Sequence, residues 1–189
     1  MLSARFDQAL TYAAQAHREQ KRKGSDVPYV AHLLSVCALV IEHGGDEDQA
    51  IAAVLHDVVE DQGGKPRLED VEKRFGPRVA SIVAACSDAD VMPKPPWKER
   101  KVAYIKNLAH HAPEVWLVSC ADKVHNADAI LQDYLEIGDE VWKRFKGGRE
   151  GTLWYYRALS DEFARLMPGR LSKRLEGLVR ELESKASAG

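Results

Sequence analysis

Apolar residues recur every three to four positions along almost the whole chain, and no clean run of period-two alternation interrupts them. Such spacing gathers apolar side chains on one stripe of a helix, whereas on a strand it would scatter them over both faces. It predicts an all-α fold. Over residues 2–20 the stripe holds Phe6, Leu10, Ala13, Ala14 and His17. Residues 29–42 are apolar on most sides, which predicts a buried helix stopped by Gly44-Gly45. Asp46 suits an N-cap, with Gln49 at the third helical position, for a helix reaching about Asp61. Gly63-Gly64 and Pro66 break the pattern. A short helix over 68–75 ends at Gly76, and Pro77 suits the first position of the next, which fades near Asp88. Asp90-Val91-Met92-Pro93-Lys94-Pro95-Pro96 must be a loop, because prolines so close together cannot sit inside a helix. Helical spacing returns over 97–110, 114–135, about 139–145, 149–167 and 171–184. Val115-Trp116-Leu117-Val118 would pass for a strand alone, but it runs without a breaker into the residues up to Leu131, so the whole reads as one buried helix. With no internal repeat or linker, residues 1–189 read as a compact single-domain helical bundle.

At 189 residues the chain suits one domain with a real core. Lys+Arg 27 against Asp+Glu 29 gives a net charge of -2, which argues against a nucleic-acid binder. A local basic patch for a phosphorylated small molecule remains compatible with it. Cys37, Cys86 and Cys120 are widely spaced in apolar surroundings and form no zinc-type pattern, so buried reduced thiols are expected. The N-terminus lacks a signal-peptide pattern, and nothing approaches about 18 uninterrupted apolar residues. A cytoplasmic protein with no membrane partner is expected, and its oligomeric state is not legible in the sequence.

Chemistry concentrates in Ala53-Val54-Leu55-His56-Asp57-Val58-Val59-Glu60-Asp61. On one continuous helix His56 would stack under Glu60, and Asp57 under Asp61, one turn of about 5.4 Å along. A single histidine is more often a core or surface residue, and acidic residues at a helix end usually face solvent. Burying this much charge without a cation would nevertheless be costly. His32, early in an apolar helix, and Asp122, directly after a buried run, add a second imidazole and a second carboxylate. Asn126 shares the face of Asp122 one turn on. The mixed nitrogen and oxygen set suits Mn²⁺, Fe²⁺ or Zn²⁺ better than Ca²⁺ or Mg²⁺.

The order His32, His56-Asp57, Asp122 resembles the HD superfamily of metal-dependent phosphohydrolases. More narrowly, three motifs resemble the (p)ppGpp hydrolase domain of the RelA/SpoT family, in its small alarmone hydrolase form. They are Arg22-Lys23 with Pro28-Tyr29-Val30-Ala31-His32, then His56-Asp57-Val58-Val59-Glu60-Asp61, then Ala121-Asp122-Lys123-Val124-His125-Asn126. The likeness covers about 6–164. It implies a helical HD-domain bundle in which His32, His56, Asp57 and Asp122 bind one metal, Mn²⁺ in that family. It also implies that Glu60 and Asp61 position and activate the attacking water. Arg22 and Lys23 would hold guanine and its phosphates, with Lys123 and Asn126 beside the ribose-phosphate. The implied reaction removes the 3′-pyrophosphate of the alarmone. A hydrolase of another nucleotide, or a module that senses a nucleotide without hydrolysing it, are the alternatives.

The chain departs from that pattern in the length of the 24–28 loop, in Gln62 where threonine is common, in Ser119 where lysine is common, and in the loop 88–97. These bear on the substrate rather than on the reaction class. Trp154-Tyr155-Tyr156 with Arg157 could form a base-binding wall or belong to the core. His17, His43, His110, His111 and His125 read as structural or surface residues.

Overall fold

A computed structural model describes residues 1–87 and 95–188, and within them the fold is all-α. Its helices are α1 (Ala4–Ala16), α2 (Val30–Glu42), α3 (Glu47–Leu55), α4 (Val58–Gln62), α5 (Gly64–Phe75), α6 (Pro77–Cys86), α7 (Trp97–Leu108), α8 (Pro113–Ile137), α9 (Gly148–Leu166) and α10 (Arg170–Ala188). A 3₁₀ segment, Gly138–Arg144, joins α8 to α9 where an α-helix over 139–145 is expected from the sequence. The proline-rich loop expected after Asp88 lies outside the described residues except for Pro95 and Pro96, which have no regular structure. No helix among the described residues is long and apolar enough to cross a membrane.

Helix α8 is the axis of the bundle: α2, α3, α6, α9 and α10 all pack against it. Its apolar start, Val115 and Val118, is buried as helix and not as strand. Helix α3 is buried along every residue from Gln49 to Leu55. The Asp46 carboxylate accepts from Gln49 N–H at 3.0 Å, and the Gln49 side chain returns the bond to Asp46 N–H at 3.0 Å. That reciprocal cap starts α3 where the sequence places it.

Two expectations are corrected. The helix expected from Asp46 to about Asp61 is two helices, because α3 stops at Leu55 and α4 starts at Val58. The His56 ring Nδ1 lies 2.8 Å from the Ala53 carbonyl, the group that a continuous helix would use to accept from Asp57 N–H. A side chain takes the place of a backbone donor, and the helix opens there. Secondly, Pro66 is no breaker. It sits in the first turn of α5, where a missing N–H costs nothing. Gly63, at φ +139°, makes the sharp step from α4 into α5 that an L side chain would resist.

Between α1 and α2 the chain doubles back: Lys21 pairs with Pro28 in an isolated antiparallel bridge, and Arg22 N–H donates to Val27 O at 2.8 Å. Cys37 and Cys120 are buried and Cys86 half-buried, and all three are free thiols.

Candidate active site

Three separate segments bring His32, His56, Asp57 and Asp122 to one point. His32 lies in the first turn of α2 and His56 at the α3–α4 break; each is at most 2% exposed. Asp122 sits midway along α8, also buried. His32 Nε2 is 3.2 Å from Asp122 Oδ1 and 3.5 Å from Asp57 Oδ2. His56 Nε2 is 3.0 Å from Asp57 Oδ2 and 3.6 Å from Asp122 Oδ1. One donor atom each from His32, His56 and Asp57 falls within 4.8 Å of the other two.

Both Nε2 atoms are buried without a hydrogen-bond partner. An interior ring nitrogen left so is costly. The opposite ring nitrogens are engaged: His56 Nδ1 with Ala53 O, and His32 Nδ1 with His125 Nδ1 at 2.9 Å. A ring hydrogen on Nδ1 leaves Nε2 as a lone pair turned inward, the arrangement that metal-binding histidines use. Electrostatics agrees. Burial would raise the Asp57 and Asp122 carboxyls, but His56 and His32 around Asp57, and Lys123 with both imidazoles around Asp122, hold them well below the usual range. Burial would lower His56, yet the two carboxylates raise it. A place that draws a proton so strongly will also draw a metal cation, and these four side chains fit one.

Tyr29 O–H donates to Asp57 Oδ2 at 2.6 Å, and burial, reinforced by Asp57, keeps that phenol protonated. Lys123 Nζ donates to Asp122 Oδ2 at 2.6 Å, and Asn126 Nδ2 donates to Asp122 Oδ1. Arg22 in turn donates to Asn126 Oδ1 at 2.7 Å and lies over the Tyr29 ring. Arg22, Lys123 and Asn126 thus form a shell around Asp122.

Helix α4 carries the two further carboxylates. Asp61 N–H bonds to Asp57 O at 3.0 Å, so α4 sets Asp61 one turn beyond Asp57 despite the break. Glu60 and Asp61 form one wall of a cleft of about 520 Å³. Lys23, Arg100, Lys101 and Lys146 supply its positive charge, and Trp97, Phe145, Tyr155 and Tyr156 its aromatic surface. Trp97 lies so close to Gly147 that a Cβ there would sit 2.6 Å from the indole. Basic groups beside aromatic faces suit a phosphorylated nucleotide.

Of the Trp154-Tyr155-Tyr156-Arg157 run, only the two tyrosines line the cleft. Trp154 meets the edge of Trp97 instead, and Arg157 pairs with Glu183 of α10, its Nε 3.0 Å from Oε1. Arg157 therefore serves the packing of α10. Tyr29, His125 and the basic residues of α7 have no role assigned from the sequence alone. His125 shares a helical face with Asp122 three residues earlier, a signal that was available. His17 is buried, in keeping with its place on the apolar stripe of the first helix.

The HD domain family pattern matches residues 9–153. The chain belongs to the HD-domain family. Among its relatives is the guanosine-3′,5′-bis(diphosphate) 3′-pyrophosphohydrolase MESH1 of Drosophila melanogaster, 40% identical over 127 residues, which are 66% of this chain and 68% of that protein. The human MESH1 is 31% identical over 160 residues, 77% of this chain and 87% of its own length. A solved structure, described as a metazoan ortholog of SpoT that hydrolyses ppGpp, matches with a TM-score of 0.77 at 31% identity, covering 96% of this chain and 97% of that one. Within this HD-domain chain α10 lies beyond the residues that the family pattern matches and packs on α8 and α9.

Proposed function

We propose that this chain is a divalent-metal-dependent hydrolase that removes the 3′-pyrophosphate of guanosine 3′,5′-bis(diphosphate), leaving GDP and pyrophosphate. The observation that carries the reading is the pair of buried, unpartnered Nε2 atoms of His32 and His56 meeting the carboxylates of Asp57 and Asp122. The names of the relatives supply the substrate. His32, His56, Asp57 and Asp122 hold the cation; this mixed nitrogen and oxygen set suits Mn²⁺, Fe²⁺ or Zn²⁺, and Mn²⁺ is the one that the resemblance to the alarmone hydrolases implies. When bound, it supplies Lewis acidity toward a phosphoryl oxygen.

The chain's own residues do the rest. Glu60 and Asp61 orient the attacking water and accept one proton from it as its oxygen bonds to phosphorus; the P–O3′ bond breaks, and the 3′ oxygen takes a proton from solvent water to leave as the 3′-hydroxyl of GDP. Lys23, Arg100, Lys101 and Lys146 offset the phosphate charge. The aromatic wall and Lys23 hold the guanine ring, while Arg22, bound to Asn126 and laid over Tyr29, braces the metal side of the site. Tyr29, by its bond to Asp57, keeps that carboxylate turned toward the imidazoles.

The test is a panel of nucleotides incubated with protein loaded in turn with Mn²⁺, Zn²⁺ and Mg²⁺. Intact pyrophosphate released from the alarmone, fastest with Mn²⁺, supports the reading. Phosphate released from a different nucleotide, or tight binding without product, contradicts it.

A further inference from the structure

Gln20, in the turn between α1 and α2, touches more of the site than its place in the sequence suggests. Its Nε2 donates to Asp61 Oδ2 at 2.8 Å. Its Oε1 meets two groups, Gln62 Nε2 at 2.6 Å and His17 Nδ1 at 2.7 Å. An ionised carboxylate only accepts, so the Gln20 nitrogen must face Asp61, and the oxygen on the other side accepts from Gln62 and, with the ring hydrogen on Nδ1, from His17. The backbone carbonyl of Gln20 also accepts from Tyr29 N–H at 2.9 Å. The His17 ring stacks on the Tyr29 ring, 5.2 Å between centroids and 19° between planes, and Tyr29 O–H holds Asp57.

We infer that Gln20, locked by His17 and Gln62, is a positioning residue that aims the Asp61 carboxylate at the attacking water. The inference rests on the hydrolase reading above. Asp61 is the one exposed residue of α4, and the effectiveness of its carboxylate as a base depends on holding one rotamer. The Gln20 amide selects that rotamer from outside the cleft. It belongs neither to the cleft lining nor to the proposed metal set, so its loss should slow turnover while nucleotide and cation still bind. Gln62 then has a purpose as the residue that turns the Gln20 oxygen away from Asp61.

The experiment compares the wild-type chain with Gln20→Ala, which deletes the donor, and Gln20→Glu, which keeps the size but sets a negative charge against Asp61. Steady-state kinetics on the alarmone are combined with calorimetric titration of Mn²⁺ and with melting temperatures. Both variants are expected to lower kcat about ten- to a hundredfold, with KM and Mn²⁺ affinity within about twofold of wild type. An unchanged kcat in both overturns the inference. So does a loss in which KM rises while Mn²⁺ affinity and melting temperature fall with kcat, since that marks a scaffold residue. A wild-type chain that binds Mn²⁺ but turns over no alarmone overturns the hydrolase reading itself, and the inference with it.

Discussion

The Nδ1 atoms of His32 and His125 lie 2.9 Å apart, so one ring must donate and the other accept. Burial, with His32 and Arg22 nearby, pushes His125 down to about 4, which leaves it a neutral imidazole near pH 7 and able to accept. With His125 as the acceptor, His32 carries its ring hydrogen on Nδ1 and turns Nε2 toward the carboxylates as a lone pair. Replacing it by alanine is expected to weaken Mn²⁺ binding about ten- to a hundredfold, as measured by calorimetric titration. Unchanged affinity would show that the ring contact does not orient His32.

Metal binding and proton transfer should separate cleanly. Asp57→Ala is expected to lose bound metal and activity together. Glu60→Gln keeps the metal and loses rate, about a hundredfold or more. Metal content by elemental analysis beside kcat decides the matter, and full turnover by Glu60→Gln would contradict its assigned role.

The basic wall of the cleft should act on binding more than on chemistry. Lys101→Met and Lys146→Met are each expected to raise KM for the alarmone about tenfold, the scale of one charge-assisted hydrogen bond, with kcat little changed. Raised salt should narrow the gap to wild type. A fall in kcat at constant KM would place these lysines at the reacting phosphorus instead.

Away from the site, Asp46 caps the buried helix α3. Asp46→Ala should lower unfolding free energy by about 1 kcal/mol and leave kcat untouched. Partial burial raises this carboxyl, but the Gln49 N–H and Arg78 outweigh it and leave it depressed. Its contribution is therefore present above the unfolded-state value of about 3.9 and fades as pH falls through the lower, folded one. Urea unfolding at neutral pH and in acid should show the difference between wild type and variant shrinking in acid. A constant difference would contradict the role of the ionised cap.

Much of this was legible in the chain because helix periodicity reports burial directly. Helix α3 and the apolar run from Val115 were readable for that reason, and so was the Asp46–Gln49 cap. The break at His56 was not. A ring nitrogen competing for the Ala53 carbonyl leaves no mark on hydrophobic spacing. The four residues proposed as metal ligands stood out as charge in apolar context. Gln20, His125 and Tyr29 did not, because each matters only through a neighbour distant in sequence. The same holds for Arg100, Lys101 and Lys146, which line one cleft with Glu60 and Asp61 only once the chain has folded.

The central claim is that side chains from α2, the α3–α4 break and α8 share one cation. Anomalous diffraction from a crystal grown with Mn²⁺ tests it most directly. The account predicts a single strong peak within bonding distance of His32 Nε2, His56 Nε2 and the carboxylates of Asp57 and Asp122. No peak there, or manganese bound elsewhere with the two imidazoles uninvolved, would contradict it.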